Sequence, residues 1–168
     1  MTYKSHLIII TNIVLETPHV VVGAAIAYNV ANPALALPLA LGSHFILDSI
    51  SHWNPHTYTE TKKFGKPARN STIIATLDSF AALGTGIFIA SMVLPDMNRF
   101  FFIIAACFLA VLPDVSKAPY YYLKNRNHYL KRWVEIERSI QVETKNVFLG
   151  VATQIGVIIA GLWWIFGV

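Results

Sequence analysis

Apolar runs of helical length, separated by short polar breaks, make up most of the chain after residue 16. The breaks carry local signals: Thr17-Pro18 predicts an N-cap followed by a proline at the first helical position, and Asn32-Pro33 predicts a turn. Pro113-Asp114 predicts the end of a fourth helix. The pattern therefore predicts five membrane-embedded helices, over residues 19–30, 34–52, 73–94, 100–112 and 147–168.

The polar stretches between these helices have two distinct characters. Residues 53–70 are predicted to form a polar loop, and residues 115–146 a charged, amphipathic segment. Residues 1–16 contain an apolar run without a small-residue cleavage site after it, so a cleaved signal peptide is not expected. They either extend the first helix or lie in the membrane interface. Without internal repeats, the pattern predicts a single domain over 1–168.

Composition supports a location in a membrane. The chain is 55% hydrophobic and only 13% charged, with a mean hydropathy of +0.52, whereas soluble domains contain about 25% charged residues. The predicted fold class is an all-α, polytopic transmembrane helical bundle. The first, second and fourth predicted helices are shorter than the roughly 20 residues of a perpendicular span, so tilt or local thinning of the bilayer is expected there.

The positive charges indicate an orientation. If the five helices alternate in direction, residues 53–70 and 115–146 lie on one side, and the turns between helices on the other side carry only Arg99. The positive-inside rule makes the basic side cytoplasmic, so the formal charge of +4 is explained without a nucleic-acid partner. The shared side carries Lys62, Lys63, Lys66, Arg69, Lys117, Lys124, Arg126, Lys131, Arg132, Arg138 and Lys145.

The most informative polar residues interrupt the second apolar run. His44, Asp48 and His52 recur every four residues, and a helix places residues at this spacing on one face. Imidazole and carboxylate groups buried without partners are costly in an apolar environment. Such groups, spaced along one helix face, are suitable ligands for a single metal ion. The spacing therefore predicts a polar, metal-binding site inside the membrane domain.

Further ionisable residues are expected at the same depth. His19, Asp78 and Asp114 fall near the predicted cytoplasmic ends of three other helices. Histidine and carboxylate ligands suit zinc, with manganese or iron as alternatives, and the single Cys107 excludes a cysteine cluster. Asp78 and Asp114 are the candidate catalytic carboxylates, either as a general base or in contact with a ligand. The predicted metal ligands are His19, His44, Asp48, His52 and Asp114.

A non-catalytic interpretation also fits these residues. Polar side chains in membrane helices form hydrogen-bonded packing networks without any metal, so the protein could serve in ion binding, transport or scaffolding. Conduction would need polar groups through the far half of the bilayer, where the chain has almost none. The amphipathic segment 115–146 is expected to bind membrane lipid through its basic and aromatic residues, and alternatively to gather an anionic lipid substrate. The sequence predicts no particular oligomeric state.

Short motifs in the chain resemble a known family. Thr17-Pro18-His19, Ser43-His44-Phe45-Ile46-Leu47-Asp48, His52-Trp53 and Leu112-Pro113-Asp114 are similar, in this order, to motifs of small bacterial inner-membrane proteins described as membrane-bound metal-dependent hydrolases. That family is distantly similar to zinc-dependent phospholipase C.

The resemblance implies a helical membrane fold in the bacterial inner membrane. It also implies hydrolysis of a phosphoester or ester in a lipid or lipid-linked substrate. The matching ligand candidates are His19, His44, Asp48, His52 and Asp114, whereas Asp78 is proposed from its depth alone. The chain departs from the family in residues 66–72, which lack the histidine pair common there, and at Ser51, where a proline is common.

Overall fold

The computed structural model describes residues 16–167, and this part of the chain consists of helices joined by short connections, with one isolated β-bridge. The prediction of an all-α fold is therefore confirmed. The expectations for residues 1–15 lie outside the described residues. The described helices are α1 (Thr17–Asn29), α2 (Pro33–Asp48), α3 (Thr57–Phe64), α4 (Arg69–Ser91), α5 (Met97–Tyr122), α6 (His128–Ile140) and α7 (Val147–Phe166).

Helix α1 is the centre of the bundle. It contacts α2, α4, α5 and α7, and most of its residues are buried. Small side chains allow this close approach. A Cβ atom added to Gly23 would lie 2.7 Å from the Cβ of Ala110 and 2.9 Å from the carbonyl oxygen of Ala106, both on α5. The polar groups at the start of α1 are thereby brought against the C-terminal half of α5.

Among the described helices, three are long and apolar enough to cross a membrane, namely α4, α5 and α7. This is fewer than the five embedded segments that the sequence predicted. Helices α1 and α2 have 13 and 16 residues, which correspond to roughly 20 and 24 Å at the rise of an α-helix. Apolar residues in α1 are explained by burial within protein, because a helix surrounded by other helices is also apolar on all sides.

Helix α5 continues past the position where its end was predicted. It runs through Pro113 and Pro119 to Tyr122, so Asp114 lies within a helix rather than at its end. Proline usually ends helices because it lacks an amide donor and clashes with the preceding turn. Within a packed membrane bundle, side chains of neighbouring helices satisfy carbonyl groups near such a proline. Here the imidazole of His44 hydrogen-bonds the carbonyl of Ala110, one turn before Pro113.

Helix α2 ends at Asp48, four residues earlier than predicted, so His52 is not on the same helical face as His44 and Asp48. The chain leaves the helix because its backbone pairs with the segment after α6. The amide of Val142 donates to the carbonyl of Asp48 (2.9 Å), the amide of His52 donates to Val142 (3.1 Å), and the amide of Thr144 donates to His52 (2.9 Å). These three hydrogen bonds form a β-bridge region that connects α2 to the end of α6.

The two predicted polar stretches contain helices. The loop 53–70 includes α3, and the carboxylate of Glu60 on α3 accepts hydrogen bonds from the amide of Ala68 (2.8 Å) and the hydroxyl of Ser71 (2.9 Å) at the start of α4. The segment 115–146 is divided between the end of α5, the amphipathic helix α6 and the β-bridge region.

Candidate metal site

Ionisable side chains from four elements, all buried except the half-buried Asp114, meet at one end of α1. His19 comes from α1, His44 and Asp48 from α2, Asp114 from α5 and Glu137 from α6. His44 and Glu137 have exposed fractions of 0% and 1%, and Asp48 has 2%. Such burial of charged groups is rare unless they are paired or bind a metal. The structure thus brings together four of the residues that the sequence predicted as ligands: His19, His44, Asp48 and Asp114.

Histidine 44 is held in one tautomer by the backbone of α5. Its Nδ1 lies 2.8 Å from the carbonyl oxygen of Ala110. Because a carbonyl only accepts, Nδ1 carries a hydrogen, and in the neutral ring Nε2 then presents a lone pair. A backbone carbonyl behind the ring is also the usual partner of a metal-binding histidine, since it orients the ring and increases its basicity.

The other nitrogen of His44 faces two carboxylates. Its Nε2 lies 3.4 Å from Oδ2 of Asp48 and 3.5 Å from Oε1 of Glu137. A lone pair facing two carboxylate oxygens is repulsive at these distances. The arrangement is therefore favourable only with a positive charge at this point, either a proton on Nε2 or a cation between the three groups.

Histidine 19 completes the cluster from the other side. Its ring stacks on that of His44, with centroids 4.3 Å apart, and its Nε2 lies 3.5 Å from Oδ1 of Asp48. Its Nδ1 is buried and has no hydrogen-bond partner among the described residues. Two overlapping groups of residues present ligand atoms within 4.8 Å of one another: His19 with His44 and Asp114, and His44 with Asp48 and Glu137.

Aspartate 78 contacts the start of α1 and belongs to neither group of ligand atoms. Its carboxylate accepts a hydrogen bond from the amide of Glu16 and another from the hydroxyl of Thr17 (2.7 Å), so it holds the first turn of α1. Thr17 was predicted as the N-cap, but the N-cap position is occupied by Glu16. Burial, followed by the carboxylates of Asp114 and Asp78, raises the pKa of Glu16 well above its usual value.

Histidine 52 lies beside the cluster, but both of its ring nitrogens have other partners. Nδ1 donates to the carbonyl of Ile50 (2.7 Å), and Nε2 accepts from the side-chain amide of Asn54 (2.9 Å). The structure therefore does not bring His52 into either group of ligand atoms. Its backbone forms the β-bridge with Glu143, which indicates a role in connecting α2 to the segment after α6.

Sequence reasoning missed two residues of the cluster, Glu137 and Lys117. Both lie in the charged, amphipathic segment 115–146, where the number of charges alone does not single out either residue. The spacing of Leu130, Val134 and Glu137 places Glu137 on the buried face of α6, and a carboxylate on an apolar face is a detectable signal. Burial raises the pKa of Glu137, whereas His44 and Lys117 act in the opposite direction.

Negative charge exceeds positive charge in this region. Lysine 117 is the one buried cation among the described residues here, and it pairs with Asp114 and Glu137. Even with Glu16 and Glu137 protonated, three carboxylates oppose this single ammonium. The excess requires protonated histidines or a bound cation. The carboxylates of the region are Glu16, Asp48, Asp78, Asp114 and Glu137.

Two cavities adjoin the cluster and share Asp114. The smaller has a volume of about 30 Å³, is lined by His19, Asp48 and His52, and has room for one ion or water molecule. The larger cavity, of about 240 Å³, is a cleft between the start of α3, the N-terminal half of α4 and the end of α5. Its lining includes Glu16, Lys117 and Arg138. The site therefore consists of a small chamber and an adjacent cleft.

Comparison with protein-family models, curated protein sequences and solved structures gave no match to this chain.

Proposed function

We propose that this membrane protein binds one divalent metal ion through His19, His44, Asp48, Asp114 and Glu137, and that it is a metal-dependent hydrolase. The observation that carries the proposal is the position of Nε2 of His44, which faces two carboxylates while Nδ1 is bonded to a carbonyl. Mixed imidazole and carboxylate ligands favour zinc, with manganese or iron as alternatives.

The reaction is hydrolysis of a phosphoester or ester in a lipid or lipid-linked substrate. A metal in this set would supply hydroxide at neutral pH by lowering the pKa of a bound water. Asp114 contacts both cavities, so its carboxylate is the one best situated to accept a proton from water at the boundary between chamber and cleft. Asp78 acts as a positioning residue, since it holds the turn that carries His19.

The membrane arrangement is part of the same proposal. Helices α1 and α2 are embedded together with the three longer helices, and α1 is enclosed by protein. The site opens toward the cytoplasm, because the positively charged segments lie at the end of the bundle that carries the cluster. The resemblance to small bacterial hydrolases favours the inner membrane of a bacterium.

One specific observation favours a second function, without catalysis. Lys117 pairs with Asp114 and Glu137, and protonated His44 would pair with Asp48, so the cluster could be an ion network that stabilises the bundle. In some proteins, buried polar or ionic groups contribute to the specificity of packing without taking part in a reaction. Metal content distinguishes the two functions.

The test is the metal content of the purified full-length protein, of Asp48→Ala and of a control, His128→Ala, whose side chain is exposed on α6. After dialysis, elemental analysis should find about one transition metal per chain in the parent and the control, and a strong loss in Asp48→Ala. Absence of a transition metal from the parent, or equal content in Asp48→Ala, would contradict the proposal and favour the ion network.

A further inference from the structure

Lysine 117 belongs to two sites at once. It is buried, with an exposed fraction of 5%, and its Nζ lies 2.5 Å from Oδ1 of Asp114 and also contacts Glu137. The same side chain lines the 240 Å³ cleft. Its ammonium therefore lies at the boundary between the carboxylate cluster and an open cleft.

Metal binding would compete with this lysine. Asp114 and Glu137 are the two carboxylates that hold its ammonium, and both also belong to the candidate ligand groups. A divalent cation among those ligand atoms withdraws negative charge from Lys117 and repels it at short range. An ammonium that has lost its counterions in a buried position must turn to water or to a new anionic partner, and the cleft is the open space beside it.

We propose, on the basis of the metal site proposed above, that metal binding redirects the ammonium of Lys117 into the cleft, where it binds a phosphate group. The substrate class is then a phosphate-bearing compound rather than a neutral carboxylic ester. The cleft contains a second cation, Arg138, which is paired with Glu143. A divalent ion would offset the excess negative charge of the cluster, so the ammonium of Lys117 is no longer needed there as a counterion and is free to pair with an anion in the cleft.

The shape of the cleft is consistent with a small phosphorylated group. Its lining extends from Asn54 and Thr57, in the polar connection after α2, to Thr76 and Ser79, which are exposed on the membrane-spanning helix α4. The opening thus reaches both the polar surface and the side of the bundle. A lipid headgroup and a soluble phosphate compound share the chemistry that Lys117 would recognise.

The experiment is calorimetric titration of inorganic phosphate into the full-length protein in detergent, with and without bound Mn²⁺. Phosphate should bind only to the metal-loaded protein. Lys117→Met should reduce phosphate affinity by about 10- to 100-fold, as expected for loss of a charge-assisted hydrogen bond, and should increase Mn²⁺ affinity because a competing cation is removed. Lys131→Met, at an exposed position on α6, is the matched control and should change neither affinity.

Lys117→Met is expected to weaken phosphate binding and to strengthen Mn²⁺ binding, so general damage to the protein cannot produce the same result. A misfolded Lys117→Met protein would be recognised by its loss of Mn²⁺ binding. In that case Lys117→Arg, which keeps the positive charge, is the variant to measure, and it should bind phosphate. Metal binding by the parent without phosphate binding, or equal phosphate affinity in Lys117→Met, would overturn this inference and leave the metal site intact. Loss of Mn²⁺ binding in the parent would instead contradict the proposed function.

A second titration separates the two sources of phosphate. Phosphatidic acid is added to the detergent micelles, and diacylglycerol, which has the same chains without phosphate, serves as its control. Displacement of inorganic phosphate by phosphatidic acid alone supports a lipid headgroup as the ligand. Retained binding of inorganic phosphate in the presence of both lipids supports a soluble phosphate compound.

Discussion

At the scale of single residues, the chemistry of His44 depends on the carbonyl behind it. The hydrogen bond to Ala110 keeps the hydrogen on Nδ1 and directs Nε2 toward Asp48 and Glu137. The spacing of His44 and Asp48 identified them as a pair. Their third partner, Glu137, is 89 residues after Asp48 in the chain, and only the fold brings it near.

Prediction of the site from sequence relied on ionisable residues that interrupt an apolar run, such as His19 and His44, and the rings of these two residues are stacked in the structure. It failed for Glu137 and Lys117, which lie in a charged stretch. It also included His52, because an uninterrupted helix was assumed beyond Asp48. The pairing of backbone amides around His52 is a tertiary contact, and local periodicity carries no information about it.

Glu137→Gln tests the missed residue. The amide keeps the shape of the side chain but removes its negative charge, so we expect metal affinity to decrease by more than about tenfold, within the range seen for residues that support a metal site. Competition with a chromophoric chelator measures this affinity. Glu135→Gln, exposed on the same helix, should leave it unchanged. Equal affinities in the two variants would exclude Glu137 from the ligand set.

At the scale of helices, periodicity and apolar length located α1, α4 and α7 to within a few residues. They did not predict the end of α5, which lies beyond a proline, or the helix within a polar connection. Pro113 predicts the end of a helix, yet α5 continues to Tyr122, and the imidazole of His44 on α2 hydrogen-bonds the carbonyl of Ala110 beside this proline. The polar connection after α2 was predicted as a loop, although it contains α3.

Gly23→Val tests the close contact between α1 and α5. The added side chain would collide with Ala110 and with the backbone at Ala106, so we expect the free energy of unfolding to decrease by about 1–3 kcal/mol, as for other overpacked interiors. Thermal unfolding in detergent and metal content are the measurements. Gly84→Val is the control, since nothing lies within 4 Å of a Cβ at that position. Equal stability of both variants would argue against this helix contact.

At the scale of the whole molecule, hydropathy and charge together predicted a membrane protein, and three helices of the described chain have the necessary length and composition. Helices α1 and α2 are shorter than these three, and an apolar sequence does not distinguish a helix buried by lipid from one buried by protein. Helix α1 is of the second kind. Orientation remains a prediction from the distribution of lysine and arginine.

Single-cysteine labelling tests this orientation. In a Cys107→Ser background, Lys63→Cys on α3 and Asn98→Cys at the start of α5 are both at exposed positions. A membrane-impermeant maleimide should label Lys63→Cys only in inside-out vesicles and Asn98→Cys only in right-side-out vesicles, since the positively charged end is expected to be cytoplasmic. The reverse pattern, or labelling of both on one side, would refute the proposed topology.

The β-bridge region has a kinetic consequence. It connects the segment after the C-terminal end of α6 to the end of α2 through three backbone hydrogen bonds. Five residues connect the N-terminal end of α6 to α5. Glu137 therefore cannot swing away as part of a freely hinged flap. An ion bound beneath Glu137 would exchange with the surrounding solution only through the narrow chamber, or when these backbone connections break. The fraction of protein that holds an ion should therefore depend on slow release as well as on the equilibrium affinity.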